Sequence, residues 1–356
     1  MSDNLHIQSH KGIYSVHFEN ELLRNLSPIL VGEVHYLLDN NVARLYDKEL
    51  RSIVQNKRTI MVEATEENKS IEKILPIYER LIENGIRRDH TLVAIGGGII
   101  QDITCFIAST LLRGLKWKFV PTTLLSQADS CIGSKSSINL GKIKNILGTF
   151  NPPNEILLST QFLKTLDVED ILSGIGEMLK VHAIDSADAF DRISADYDLL
   201  RVDYELLSTY IKKSLIIKKR FIEEDEFDCG KRNIFNYGHS FGHAIEAATN
   251  FEVPHGIAVT IGMEMANRIA LMRGLLPEYH YHRMHSVLRK NYDQFSNVFI
   301  PRDVMPSALM KDKKNTSSNL VLIFPVGESA TIQRVEVPPD EDFWRQCNQF
   351  LAEMAL

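Results

Sequence analysis

Three histidines fall in the stretch Lys231 to Val259: His239 and His243, four apart, and His255 after a short loop carrying Pro254. The A-I-E-A-A segment after His243 is good helix-forming sequence, which places the first two imidazoles on one helix face. Imidazole is the commonest metal-ligating side chain, and two or three converging with a carboxylate match a catalytic zinc site, which keeps one position open. Arg232, Asn236, Gly238 and Gly242 crowd the same stretch. The plain alternative is that three of the chain's 12 histidines happen to cluster; their density favours a metal site. The H-S-F-G-H segment lacks the glutamate of H-E-x-x-H, which disfavours a zincin protease. A carboxylate is available in G-I-G-E-M-L-K, where Glu177 and Lys180 stand three apart on one helix face. Such a pair is usually a surface ion pair, but its apolar neighbours argue for burial.

A second group of residues suits phosphate chemistry. The run Thr91 to Ile95 reads as a buried strand entering Gly96, Gly97 and Gly98, followed by a helix over Ile99 to Leu112. Glycines let a backbone approach a pyrophosphate, and the helix N-terminus supplies oriented N–H donors. The spacing G-x-G-x-x-G fails, because Gln101 occupies its last position, so the choice lies between a nucleotide-phosphate turn and a plain tight turn. Asp39 ends the strand-like run Val34 to Leu38, where parallel sheets bind nucleotides, although D-N-N is also an ordinary turn. Between Asp129 and Asn145, one acid, Lys135, Lys142, Lys144 and two asparagines share a Gly/Ser-rich loop. It reads as a phosphate or carboxylate cradle, or else as a solvated basic loop.

The elements that must position these residues follow a strand–helix rhythm. Strands are expected at Tyr14 to Phe18, Val34 to Leu38, Thr59 to Val62 and Leu115 to Thr123, with helices over Val42 to Gln55 and Ile71 to Asn84. This is the pattern of a parallel α/β sheet. Asn151-Pro-Pro marks an expected boundary, giving an N-terminal Rossmann-like domain (1–152) and a C-terminal, mainly α-helical metal-binding domain (153–356). Within the second, helices are expected over 205–223, over Ile257 to Met272 as a central buried helix, and from about Glu341 as an amphipathic one.

Composition narrows the class. The chain has 356 residues, 44% hydrophobic and 24% charged, with a net charge of −6 and interspersed signs, so it has no electrostatic footprint for nucleic acid. No apolar run reaches about eighteen residues, the length of a membrane span, and no signal peptide is visible. The four cysteines (Cys105, Cys131, Cys229, Cys347) are scattered and without C-x-x-C spacing, as expected of reduced thiols in a cytoplasmic protein.

Taken together, G-G-G-I-I-Q-D, L-R-G, V-P-T-T-L-L-S-Q-A-D-S, G-I-G-E-M-L-K, N-Y-G-H-S-F-G-H-A-I-E and H-G-I-A-V resemble the 3-dehydroquinate synthase family of sugar-phosphate cyclases in order and spacing. The resemblance runs from about Asp39 to the region of Lys311. It implies a homodimer that binds NAD and a divalent metal, Zn2+ or Co2+, with substrate in the cleft between two domains. The family closes a seven-carbon keto-acid phosphate (3-deoxy-arabino-heptulosonate 7-phosphate) into 3-dehydroquinate. NAD is reduced and reoxidised within one turnover, and phosphate leaves by β-elimination.

Position by position, the resemblance implies Glu177, His239 and His255 as metal ligands. It implies His243 as a proton carrier near the phosphate. Asp129, Lys135, Asn145, Lys180, Lys218, Arg232 and Asn236 would hold the substrate, with Arg113 reaching in from the partner subunit. Lys313 or Lys314 matches the late lysine at the substrate carboxylate. Asp39, Glu66, Lys69, Gly97, Gly98, Asp102, Thr122, Thr123, Lys144 and Thr165 fall on NAD-contacting positions.

The chain departs from the family pattern in three places. It has G-S-K-S-S-I-N where G-G-K-T-G-V-N is common, Ile257 where the family has Glu, and Gln101 where it has Gly. These leave open a relative acting on sedoheptulose 7-phosphate or an amino analogue. A metal-dependent polyol dehydrogenase is a second alternative, but it has no use for the cations Arg113, Lys135, Lys180 and Lys218.

Overall fold

A computed structural model describes residues 4–141, 143–310, 315 and 318–354. Lys313 and Lys314 lie outside the described residues. The chain forms two compact units, one of residues 1–166 with 218–228 and the other of 167–217 with 229–356.

The first unit is built on a seven-stranded sheet of order β1-β2-β9-β6-β5-β3-β4. Its strands are β1 (Leu5–Ser9), β2 (Gly12–Phe18), β3 (Val34–Asp39), β4 (Thr59–Val62), β5 (Thr91–Gly96), β6 (Lys116–Pro121) and β9 (Glu155–Leu158). Only the β1–β2 pairing is antiparallel. The central strands are apolar without alternation because helices cover both faces: Leu37, Leu38, Val93, Ala94, Ile95, Phe119 and Val120 are fully buried. The chain passes from β3 outward to β4 and then returns to β5 on the other side of β3. That reversal is a topological switch point, and the carboxyl ends of β3 and β5 at such a point bound the crevice where open α/β sheets take ligands.

Three expectations need correction. The unit runs to Leu166 rather than 152, because β9 follows the Asn151-Pro-Pro turn and inserts between β2 and β6. Proline marks a turn here, not a domain boundary. The helix over 42–55 is two short helices, Asn40–Leu45 and Arg51–Val54. The expected loop between Asp129 and Asn145 contains strand β7 (Lys135–Leu140), paired with β8 (Ile143–Phe150). Ser136 and Ile138 face inward while Lys135 faces out, and the hairpin packs on the helix Gly98–Thr110.

In the second unit, fourteen residues of the helix His255–Met272 are buried. The helices Val168–Asp185, His239–Ala248 and Glu278–Tyr292 pack against it. A hairpin, β10 (Leu320–Val326) with β11 (Thr331–Val337), and the amphipathic helix Glu341–Met354 complete the unit. Among the described residues, no helix is long and apolar enough to cross a membrane.

Candidate metal and nucleotide sites

Three helices of the second unit deliver the metal candidates. Glu177 lies inside the helix Val168–Asp185, His239 opens its own helix after Gly238, and His255 opens the next after Pro254. Their approach depends on glycine. A Cβ on Gly256 would stand 1.9 Å from the Ser173 carbonyl oxygen, and one on Gly176 would stand 2.3 Å from that of Gly256. Gly256 N–H donates to Ser173 Oγ at 2.9 Å, which ties the two backbones together. On the other side, a Cβ on Gly262 would stand 2.1 Å from the Gly238 carbonyl oxygen.

The result is convergence on one carboxylate oxygen. His239 Nε2 lies 3.7 Å and His255 Nε2 3.5 Å from Glu177 Oε1. All three ligand atoms fall within 4.8 Å of one another. A tetrahedral ion with bonds of about 2.0–2.1 Å separates its ligands by roughly 3.4 Å, so the set fits a divalent metal. Glu177 is buried, and its other oxygen accepts from Lys180 Nζ, itself buried and 5.8 Å from the Phe235 ring centroid. The apolar neighbours that argued for a buried Glu–Lys pair are thus at work.

The two imidazoles are pushed in opposite directions. Burial, reinforced by Lys180 and the two neighbouring imidazoles, holds His239 well below the usual imidazole range and so keeps it neutral. Its Nδ1 faces the Tyr237 carbonyl at 3.3 Å. Burial also opposes charge on His255, but the hydrogen-bonded Glu246 carboxylate outweighs it and raises that group. His255 Nδ1 lies 3.2 Å from Glu246 Oε2. The sequence reading missed Glu246, although the spacing His239, His243, Glu246 (i, i+4, i+7) puts all three on one helix face. His243 is exposed, with its ring centroid 5.4 Å from His239 and 5.7 Å from His255. Arg232 is buried in the turn Lys231–Asn236, where Asn236 donates to the Asn233 carbonyl at 2.9 Å.

The first unit holds the other sequence-selected residues. At the switch point, Asp39 caps the following helix by accepting from Asn41 N–H at 2.8 Å, and burial raises its carboxyl group. A Cβ on Gly96 would meet Ile100 at 2.5 Å and Asp39 at 3.3 Å, and one on Gly97 would meet Thr123 at 3.0 Å. A side chain at residue 96 would therefore displace Ile100, while residue 97 is merely tight. At Gly98 the nearest atom is Ser130 Oγ, 4.0 Å away, so this backbone stays open to a ligand. Thr122 N–H donates to the Gly96 carbonyl at 3.0 Å, and Thr123 Oγ1 to Ser126 Oγ at 2.9 Å.

Lys69, almost fully buried, donates to Asp102 Oδ2 at 3.2 Å and Asn145 Oδ1 at 2.9 Å, with Glu66 at 3.5 Å. Burial raises the Asp102 carboxyl group against the opposing pull of Lys69. Asn139 joins this network by donating to Glu66 Oε1 at 2.9 Å and accepting from Asn145 N–H at 2.9 Å. Asn145, expected at the substrate, is thus linked to three nucleotide candidates. Thr165 Oγ1 pairs with the Tyr46 hydroxyl at 2.8 Å, and Lys144 is exposed on β8.

Lys218 binds Asp129 twice, at Oδ1 (2.6 Å) and at the carbonyl oxygen (2.7 Å). Gln101 and Ser130 exchange two hydrogen bonds of 2.7 Å, which anchors the turn bearing Asp129 and gives the departure at residue 101 a local role. Lys135 is exposed and its Nζ lies 2.5 Å from Asp228 Oδ2. Ser134 and Ser136 are buried, the latter paired with Thr149 Oγ1 at 2.8 Å. Arg113 is exposed; it and Leu112 have φ of 66° and 53°, a left-handed pair at the end of the glycine-turn helix.

Comparison with known proteins agrees with this layout. The family models for the 3-dehydroquinate synthase N-terminal and C-terminal regions match residues 59–173 and 174–315. A 3-dehydroquinate synthase of Alkaliphilus metalliredigens is 33% identical over 346 residues, 95% of this chain and 97% of its own length. Among solved structures, a 2-epi-5-epi-valiolone synthase of Streptomyces hygroscopicus with NAD+ and Zn2+ bound superposes with a TM-score of 0.84 at 26% identity, over 96% of both chains. An iron-containing alcohol dehydrogenase of Thermotoga maritima, at 14% identity and a TM-score of 0.62 over 96% and 97% of the chains, shares the fold alone. With both halves matched and a relative aligned almost end to end, the chain belongs to the 3-dehydroquinate synthase family.

Proposed function

We propose that this enzyme is a homodimeric 3-dehydroquinate synthase that cyclises 3-deoxy-arabino-heptulosonate 7-phosphate with release of phosphate, using NAD catalytically and one divalent metal, Zn2+ or Co2+. The observation that carries the reading is the convergence of Glu177 Oε1, His239 Nε2 and His255 Nε2. Bound in these positions, a divalent ion would polarise a carbinol oxygen while NAD accepts and returns a hydride.

The protein's own residues supply the rest. Lys180 offsets the charge of Glu177 in a buried setting, where an unpaired carboxylate would be costly. Asp39, Gly97, Gly98, Thr122 and Thr123 sit at the switch point and suit NAD, with Glu66, Lys69, Asp102, Lys144 and Thr165 as its further contacts. The guanidinium of Arg232 is a planar fork suited to carboxylate or phosphate. Asn236 and the Lys218–Asp129 pair present groups for substrate hydroxyls and anions. His243, exposed beside the metal set, moves a proton as phosphate departs. Arg113 reaches the neighbouring subunit's substrate.

A second reading, a cyclase of the same mechanism acting on sedoheptulose 7-phosphate, is favoured by one observation. Lys135, which on the first reading faces the substrate carboxylate, is paired with Asp228. The two readings differ in whether that carboxylate is recognised. An ion pair lost at such a group costs on the order of 2–5 kcal/mol. Phosphate release from the two substrates under identical conditions tests this: the first reading gives at least a tens-fold higher kcat/KM for the keto-acid. Equal or faster turnover of sedoheptulose 7-phosphate establishes the second. Net NADH formation from a polyol without phosphate release would instead indicate a dehydrogenase.

A further inference from the structure

We propose that Glu246 is the positioning residue of the metal centre, fixing His255 so that Nε2, not Nδ1, carries the ligating lone pair. This deepens the metal reading of Glu177, His239 and His255 and rests on it. A neutral imidazole has one N–H, and the hydrogen bond made by one nitrogen decides which other nitrogen is free to ligate. At His255 the partner of Nδ1 is Glu246 Oε2 at 3.2 Å, while Nε2 is turned to Glu177 Oε1 at 3.5 Å. A carboxylate accepts and does not donate, so in the neutral ring, the form a metal requires, the proton lies on Nδ1 and Nε2 presents its lone pair beside a second acceptor. Two acceptors facing each other at that distance leave the place between them to a cation.

His255 needs such a clamp more than His239 does. Its side chain is 36% exposed against 15% for His239. It also begins its helix directly after a loop in which Asn250 and Phe251 hold left-handed backbone, φ 49° and 65°. Glu246 is 12% exposed and stands on the regular helix that carries His239, so one rigid element supplies a ligand and aligns another.

A competing arrangement exists: His243, Glu246 and His255 also offer three ligand atoms within 4.8 Å. There the His255 nitrogen facing Glu246 would be the ligand and Glu246 would touch the metal itself. The two arrangements make opposite demands on the His255 ring, and burial favours the first, since Glu177 is 1% exposed and His243 is on the surface.

The test titrates the metal-free full-length protein with zinc by chelator competition and records the visible spectrum of the Co2+ form, for wild type, Glu246→Ala, Glu246→Gln and His255→Ala. The proposal predicts zinc affinity about 10- to 100-fold weaker in Glu246→Ala, as for other partners of ligating histidines. It also predicts a partial recovery in Glu246→Gln, whose amide oxygen can still accept from Nδ1, and a four-coordinate Co2+ spectrum that keeps its shape in both. Glu246→Gln is nearly isosteric and carries the test should Glu246→Ala fail to fold. Unchanged zinc affinity in both variants would overturn the positioning role, and a Co2+ spectrum showing a lost ligand would make Glu246 a ligand instead. Wild-type zinc affinity in His255→Ala would overturn the underlying metal reading, a result distinct from either.

Discussion

The helix crossing at Gly256 sets the spacing of the candidate metal site, and Gly256→Ala should therefore disable it without replacing a candidate ligand. The added Cβ would sit 1.9 Å from the Ser173 carbonyl oxygen and 2.6 Å from its carbon, about 1.5 Å short of the 3.4 Å of ordinary contact. Both obstacles are helix backbone, so neither can rotate away, and the helices must separate. Glu177 is one turn beyond Ser173, and His255 immediately precedes Gly256. A shift of that size opens the 3.5 Å gap between Glu177 Oε1 and His255 Nε2 towards about 5 Å, well beyond the roughly 3.4 Å that two ligands of one zinc ion require. Overpacking of this kind typically costs about 1–3 kcal/mol of stability, and a catalytic group misplaced by about 1 Å loses on the order of a hundredfold in rate. Thermal melts, zinc titration and phosphate-release rates of the purified variant measure all three. Expected are a lower Tm, zinc affinity reduced at least about tenfold, and activity reduced roughly a hundredfold. Wild-type zinc affinity with activity within about twofold would refute the claim that this glycine contact sets the geometry.

Other consequences can be measured alongside. Burial pushes His182 down to about 4, so the unfolded chain takes up a proton between pH 6.5 and about 4 that the native state refuses. Stability is full above pH 6.5 and falls by at most about 3 kcal/mol as pH drops through that window; His182→Leu should remove this part of the acid limb, and parallel pH profiles of variant and wild type would contradict it. Burial raises the thiols of Cys105, Cys131 and Cys347 to about 12 each, whereas Cys229 is exposed. Brief iodoacetamide treatment at pH 8 should add one adduct by intact mass, mapped to Cys229; modification of a buried cysteine at a comparable rate would count against the packing. Mixing inactive Arg113→Ala with inactive Lys180→Ala should restore part of the activity through hybrid dimers. No recovery despite demonstrated subunit exchange would exclude an arginine supplied in trans.

Much of this was legible in the sequence because the signals were local. Unbroken apolar runs such as Val93 to Ile95 announced covered parallel strands, and the three glycines after them announced a close strand–helix turn. The histidine spacing found the metal candidates, and the apolar flanks of Glu177 found its burial. What stayed hidden was carried by long-range contacts. Residues Lys218–Asp228 return to the first unit through partners far away in sequence, Asp129 for Lys218 and Lys135 for Asp228. The hairpin of β7 and β8 lacks a clean apolar alternation, because Ser136 and Ile138 share the inward face of β7 and β8 is largely exposed. Glu246 was read only as part of a helix-forming run, since nothing local shows that a carboxylate nine residues before His255 folds back onto it. Likewise Asn145, assigned to the substrate, is connected to Lys69 and Asn139 by bonds that only the folded chain reveals.

Cyclisation with NAD recycled in each turnover can be followed by supplying the zinc-loaded enzyme with 3-deoxy-arabino-heptulosonate 7-phosphate and a small, fixed amount of NAD. Phosphate released and NADH formed are followed in the same cuvette, and the product is identified by mass spectrometry. Expected are many phosphates released per NAD present, no accumulating NADH, and 3-dehydroquinate as product. Absence of phosphate release, or NADH rising in step with substrate consumed, would contradict this cyclisation.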